Sequence, residues 1–140
     1  MYNDLFDKEL IEYLTSFFQN NYTESVEVTS LLIGDGLYEI RFENQHIVLQ
    51  LLYEKACDDC EAQIRITNIL LSGSMRHIGL SKKLLNALYR YCRAHGDMSL
   101  WIFDLVNRSW CDYLAGHGAV IIRQESQFLG AVLFIENEIQ

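Results

Sequence analysis

At 140 residues the chain is long enough to bury a proper core in one domain, with no linker or repeat to suggest a second. Half of its residues are hydrophobic and 21% are charged, which excludes a disordered chain. A formal charge of −8 opposes nucleic acid and anionic membrane surfaces unless a local basic patch intervenes, and it suits a cationic partner.

No apolar run reaches the ~18 residues that a transmembrane helix needs. The opening MYNDLFDKEL is acidic where a signal peptide is positive, which sets the expectation of a cytoplasmic protein. From Asn3 to about Tyr22 the chain reads as an amphipathic helix. Its stripe is Leu5/Phe6, Leu10, Leu14 and Phe17/Phe18, with Asn3 or Asp4 as cap. Such a stripe packs on the chain's own sheet or, less commonly, on a partner. Ser25 to Ile33 alternates as a strand, and Gly34-Asp35-Gly36 is a strong hairpin turn. Leu37 to Phe42 and His46 to Tyr53 follow as strands joined at Glu43-Asn44-Gln45.

Cys57-Asp58-Asp59-Cys60 has C-x-x-C spacing. A zinc site would want a second close pair, and Cys92 and Cys111 lie far away, so no metal is expected. Two aspartates would raise rather than lower the thiol pKa, so an exposed loop with reduced thiols is favoured over a redox motif. Cys92 falls on an apolar helix face and reads as core.

The richest stretch is Gln63 to His95, QIRITNILLSGSMRHIGLSKKLLNALYRYCRAH. It begins as a strand through Ile64, Ile66, Ile69, Leu70 and Leu71, breaks at Ser72-Gly73-Ser74, and restarts as a helix. Leu80, Leu84, Leu88 and Tyr91/Cys92 form the helix stripe. A strand feeding a helix through small residues leaves unpaired N–H groups at the positive end of the helix dipole, which is an anion site. From Ala62 to Gly96 there is no acid, whereas Arg65, Arg76, Lys82, Lys83, Arg90 and Arg93 give six positive charges. The expected ligand is a phosphate. Leu100 to Val106 then reads as a strand, Arg108 to Gly116 as a helix, and Ala119 to Arg123 with Phe128 to Glu136 as a closing hairpin.

Arg76-His77-Ile78-Gly79-Leu80-Ser81 resembles the Q/R-x-x-G-x-G/A loop of the GNAT superfamily of N-acetyltransferases. The register agrees: Leu71 stands where that family has its last strand valine, and Gly73 where it usually has proline. Asn107 and the helix running to Gly118 match the family's N-(x)n-L-G-F ending. The resemblance spans roughly residues 64–120. It implies an α+β fold, a mixed and mostly antiparallel central sheet flanked by helices, in a single domain over residues 1–140. It implies acetyl-CoA as co-substrate, its pyrophosphate on the backbone amides of Arg76, His77, Ile78, Gly79, Leu80, Ser81 and Lys82. The pantetheine arm would lie along Ile69, Leu70 and Leu71 and bond Asn107.

The same resemblance implies direct transfer of an acetyl or other acyl group to an amine, a small molecule or a protein, in a ternary complex. Amine attack needs a base and the leaving thiolate an acid. Asp104, an acid between Phe103 and Leu105, is the candidate base, unless it is simply an exposed edge residue. Many members place a tyrosine four residues before the glycine ending the last helix. Here that place holds Leu114, and Tyr113 beside it is the candidate acid, with a core role in the stripe Trp110, Tyr113, Leu114 and His117 as the alternative. His77 is a diphosphate contact rather than a base. Asn107 and Ser81 also read as helix caps, and Gly79 as a simple helix opener. Glu39, Glu43 and Glu54 would receive a cationic acceptor, or else form a solvated face.

The family usually inserts one or two helices between its first two strands to wall the acceptor site, and this chain has only the Gly34-Asp35-Gly36 turn there. That departure, with the displaced tyrosine and the N-terminal helix, supports a second reading as an inactive regulatory module acting on a protein partner. A nucleic-acid binder is disfavoured by the charge and by having only Tyr89 and Tyr91 for stacking. The edge of the final hairpin is a place where a second copy would pair to give a homodimer.

Overall fold

A computed structural model describes residues 7–22, 24–56, 61–71, 79–103, 108–124 and 130–139. Among these residues three helices and seven strands follow one another as α1 (Lys8–Asn21), β1 (Glu27–Gly34), β2 (Leu37–Glu43), β3 (Ile47–Glu54), β4 (Gln63–Leu71), α2 (Leu80–Ala94), β5 (Ser99–Ile102), α3 (Arg108–Gly116), β6 (Ala119–Gln124) and β7 (Ala131–Ile135). The strands form one open sheet in the order β1-β2-β3-β4-β5-β7-β6. Every neighbouring pair is antiparallel except β4 with β5. The fold is therefore α+β with a mixed, mostly antiparallel sheet, as expected.

Local chemistry explains the first four strands. Short turns force antiparallel neighbours: Gly36 takes φ 67°, a conformation that glycine adopts without strain, and closes β1 onto β2. Between β2 and β3 the Asn44 side chain accepts hydrogen bonds from the backbone N–H groups of His46 (2.8 Å) and Ile47 (3.0 Å). A parallel partner needs a long crossover, and α2 supplies it between β4 and β5.

Cross-strand partners share a face of the sheet. One row runs through Ile40, Leu51, Ile66, Ile102 and Leu133, all buried, and it floors the core. Both α1 and α2 lie over this face. Phe18 of α1 meets Phe42 of β2 with ring centroids 5.4 Å apart. Tyr13 of α1 packs on Tyr91 of α2 at 5.0 Å and donates to the Ala87 carbonyl at 2.7 Å. The α1 stripe thus packs inward, and Ile11 joins Leu10, Leu14 and Phe18 in it. Its start differs from the expectation. Asp7, in a left-handed conformation, is the N-cap, so the helix begins at Lys8; Asn3 and Asp4 lie outside the described residues.

The opposite row reads Leu31, Glu39, Leu52, Arg65, Trp101, Phe134 and Val120. Polar residues of the same face bond one another within and across strands. Arg41 bonds Glu43 and Gln50 at 3.0 Å each, and Glu54 accepts from Gln63 at 2.7 Å. The remaining helix, α3, packs against β6. It buries Cys111 and Leu114, an i, i+3 pair, in place of the predicted stripe: Trp110 is only partly buried and Tyr113 is exposed. Beyond β7 the chain crosses α2. Asn86 donates to the Ile139 carbonyl at 2.9 Å and accepts from its N–H at 2.6 Å.

Candidate active site

The parallel pair β4/β5 is short. Gln63 to Ile66 pair with Ser99 to Ile102, and the Phe103 N–H donates to the Ile66 carbonyl at 2.9 Å. From there to Leu71, β4 pairs with β3 alone among the described residues. The change falls at a bulge. Ile66 opposes Leu51 and Asn68 opposes Gln50, so Thr67 is the extra residue, and its hydroxyl donates to the Gln50 carbonyl at 3.2 Å. A bulge bends its strand and adds twist, which carries the last part of β4 away from β5's line. It also shifts the alternation: Ile64 and Ile66 face the core before it, and Ile69 and Leu71 pack against the core after it, leaving Leu70 exposed. The sequence carried this signal as a change of phase between Ile66 and Ile69. Reading by propensity alone misses the bulge.

The helix α2 opens at Gly79, whose φ of 70° and ψ of 19° place it in the left-handed region. Among the described residues no side chain caps the helix, and Ser81, already inside the first turn, is not its cap. The Gly79 carbonyl takes the Lys83 N–H at 3.1 Å, which leaves the N–H groups of Leu80, Ser81 and Lys82 as the orphans of the first turn. A Cβ built on Gly79 would meet nothing within 4 Å, so the backbone there is open to close approach. The first turn holds no acid.

The basic character of this stretch is more local than its sequence implies. Acids from outside it neutralise three of the six cations: Arg90 pairs with Glu138 at 2.5 Å, Arg93 with Asp97 at 3.3 Å and Arg65 with Glu54 at 3.6 Å. Lys82 and Lys83, at the helix N-terminus, make no ion pair among the described residues. The positive potential is thereby concentrated at the orphan amides, where the helix dipole adds to it.

Arg76, His77, Ile78, Asp104 and Asn107 lie outside the described residues, as does the Cys57–Cys60 motif. Tyr113 stands on the exposed side of α3, stacked on His117 with ring centroids 4.2 Å apart. Leu114, at the position where the resembled family carries tyrosine, is fully buried. Glu43 is held below the usual carboxylate range by its hydrogen bond and ion pair with Arg41. Glu54 is engaged by Gln63 and Arg65. Of the three acids proposed for a cationic acceptor, Glu39 alone has no ion pair among the described residues. Cys92 is buried in the core, as predicted, and burial pushes its thiol up to about 12, which keeps it protonated. Burial likewise pushes Tyr53 up to about 12. Among the described residues no group of three or more histidine, cysteine or acidic side chains is placed to hold a metal, and no helix is long and apolar enough to cross a membrane.

No family model, curated protein or solved structure matches the chain.

Proposed function

We propose that this protein is an acyl-CoA-dependent N-acyltransferase of the GNAT type, moving an acetyl group from acetyl-CoA to an amine. The observation that carries the reading is the geometry of the end of β4 and of the start of α2. A strand that leaves its parallel neighbour at a bulge feeds a helix that opens, uncapped, on a left-handed glycine. The first part offers, at Ile69 to Leu71, a strand that pairs with β3 and whose other side has no partner among the described residues, to an extended polar arm. The second offers the amides of Leu80, Ser81 and Lys82, with two lysines, to a diphosphate. By the resemblance, the amides of Arg76, His77 and Ile78 would join in holding the diphosphate, and Asn107 would bond the arm.

In the reaction, Asp104 takes a proton from the acceptor amine and the freed nitrogen attacks the thioester carbonyl carbon. The C–N bond forms, the acylated nitrogen sheds its second proton to solvent, the C–S bond breaks, and the leaving thiolate receives a proton from the Tyr113 hydroxyl, after which Asp104 gives up its own proton to solvent. An exposed hydroxyl is accessible for this, and an exchange of protons with solvent resets it.

A second reading, an inactive module of the same fold that acts on a protein partner, is favoured by Leu114. A buried leucine where the family carries its tyrosine removes that hydroxyl from the site. Calorimetric titration of acetyl-CoA separates the two readings. Gly79→Ala and Gly79→Glu strain the same left-handed backbone, but only the glutamate puts a negative charge into the cradle. Binding by the parent and by Gly79→Ala, with loss in a folded Gly79→Glu, supports the cofactor site. No binding by the parent removes the enzyme reading.

A further inference from the structure

The outer strands of the sheet are β1 and β6. On β1, Leu31, Leu32 and Ile33 are exposed by 56%, 46% and 44% in succession. Leu31 shares a face with Glu39 and Leu32 with Tyr38, so the run is bare on both faces of the sheet. Edge strands of stable proteins are guarded by lysine, proline or a covering element, because their free N–H and C=O groups template a further strand. The β1 sequence EVTSLLIG has no cation and no proline. Its one irregularity, a register shift between Leu32 and Gly34, leaves the segment from Glu27 to Leu32 regular.

The charges around this edge are unbalanced. Glu27 stands directly opposite Glu43, a like-charged cross-strand pair that costs stability. Arg41, the nearest cation on β2, is already committed to Glu43 and Gln50. Glu24 before the strand is exposed, accepts from the Tyr22 hydroxyl at 2.7 Å and lies 3.8 Å from His46 Nε2. Asp35 after the strand is exposed as well, and the cation at that end is Lys55, 5.3 Å over the Tyr38 ring, so Glu24, Glu27, Glu39, Glu43 and Asp35 still outnumber Arg41 and Lys55. An incoming strand with cations at its ends would relieve this repulsion and cover the leucines at once. A second copy of the chain fits less well. Its own β6 edge has the aliphatic run Val120, Ile121 and Ile122, but both molecules carry −8.

We propose that the β1 edge is a docking site for an extended segment of a partner polypeptide, apolar at its centre and basic at its ends, which adds to the sheet as a further strand. This site is independent of the acyl-transfer reading. The probe is a fluorescent peptide, Lys-Lys-Thr-Val-Ile-Val-Thr-Lys-Lys, titrated into the intact protein beside a counterpart with glutamate in place of every lysine. The expected result is binding of the basic peptide, weakened by salt, with the acidic one at least about tenfold weaker. Amide exchange should slow across Glu27 to Leu32. Leu32→Lys removes the apolar surface and Glu27→Lys reverses the charge. Each should weaken the basic peptide about tenfold while leaving the melting curve near that of the parent, since both side chains are exposed. Equal binding of the two peptides, binding of neither, or protection at β6 instead of β1 would overturn the proposal. So would concentration-dependent self-association that Leu32→Lys abolishes, because the occupant would then be a second copy.

Discussion

Asp7 holds a left-handed conformation, φ 58° and ψ 64°, while one carboxylate oxygen caps α1 through the Leu10 N–H at 3.5 Å and the other is buried without a partner. Burial raises its pKa, so its charge opposes folding at neutral pH; the stability it offers is greatest below its ordinary value of 3.8 and is lost as pH rises. Asparagine tolerates the same backbone and caps equally well without the charge. Asp7→Asn should therefore stabilise the protein by about 0.5–1 kcal/mol at neutral pH, seen as a rise in urea midpoint. Gly79 makes the complementary case. Its surroundings are open, so Gly79→Ala should cost only the left-handed backbone penalty of about 1–2 kcal/mol, with no further loss from clash. At Tyr113 the expected signature is kinetic: Tyr113→Phe should lower kcat roughly a hundredfold with KM and stability unchanged, because the ring is exposed and only the hydroxyl is lost. Unchanged kcat would remove Tyr113 from the chemistry.

The two helices on the core face are joined at their ends as well as along their sides. His95, at the C-terminus of α2, stacks on Tyr91 and faces two acceptors: its Nδ1 meets the Tyr91 carbonyl at 2.8 Å and its Nε2 the Glu9 carboxylate of α1 at 2.6 Å. Neither acceptor can donate, so the doubly protonated ring suits the site, and the carbonyl bond first and Glu9 second raise its pKa above 6.5. A raised folded pKa contributes stability that is complete below the unfolded value and disappears as pH climbs through the folded one. Thermal midpoints should thus fall as pH is raised from about 6 through the neutral range. His95→Gln should flatten that slope, and a slope equal to the parent's would show that other groups set it. Neither helix's sequence announces this link, since Glu9 and His95 are 86 residues apart.

For the whole molecule, the segment after β7 acts as a strap. Ile139 is buried, its backbone is held at both ends by Asn86, and Tyr89 donates to the Glu136 carbonyl at 3.0 Å. Removing the Ile139 side chain leaves a cavity in the core beneath α2, so Ile139→Ala should cost about 2–4 kcal/mol in chemical denaturation. A smaller loss would mean that the strap follows the fold rather than supports it. The same scale explains why the charge pattern of the sequence is only partly kept: a stretch of six cations retains part of its excess once Glu54, Asp97 and Glu138 have folded onto it.

The sequence by itself determined the elements and their local order. Alternation and turn chemistry are short-range, so the β1-to-β4 meander, the tight Gly34–Gly36 hairpin, the α2 stripe and the core position of Cys92 were all legible. The phase change at Thr67 was also written there, as the step from Ile66 to Ile69. What only the tertiary structure decided depends on residues far apart in the chain. The insertion of β7 between β5 and β6, the end of β4/β5 pairing at Ile66 and the burial of Leu114 rather than Tyr113 follow from which neighbours arrive. So do the neutralisation of half the basic stretch and the bare edge at Leu31 to Ile33. Propensity and periodicity state which side of a strand or helix is apolar; they do not state what will cover it.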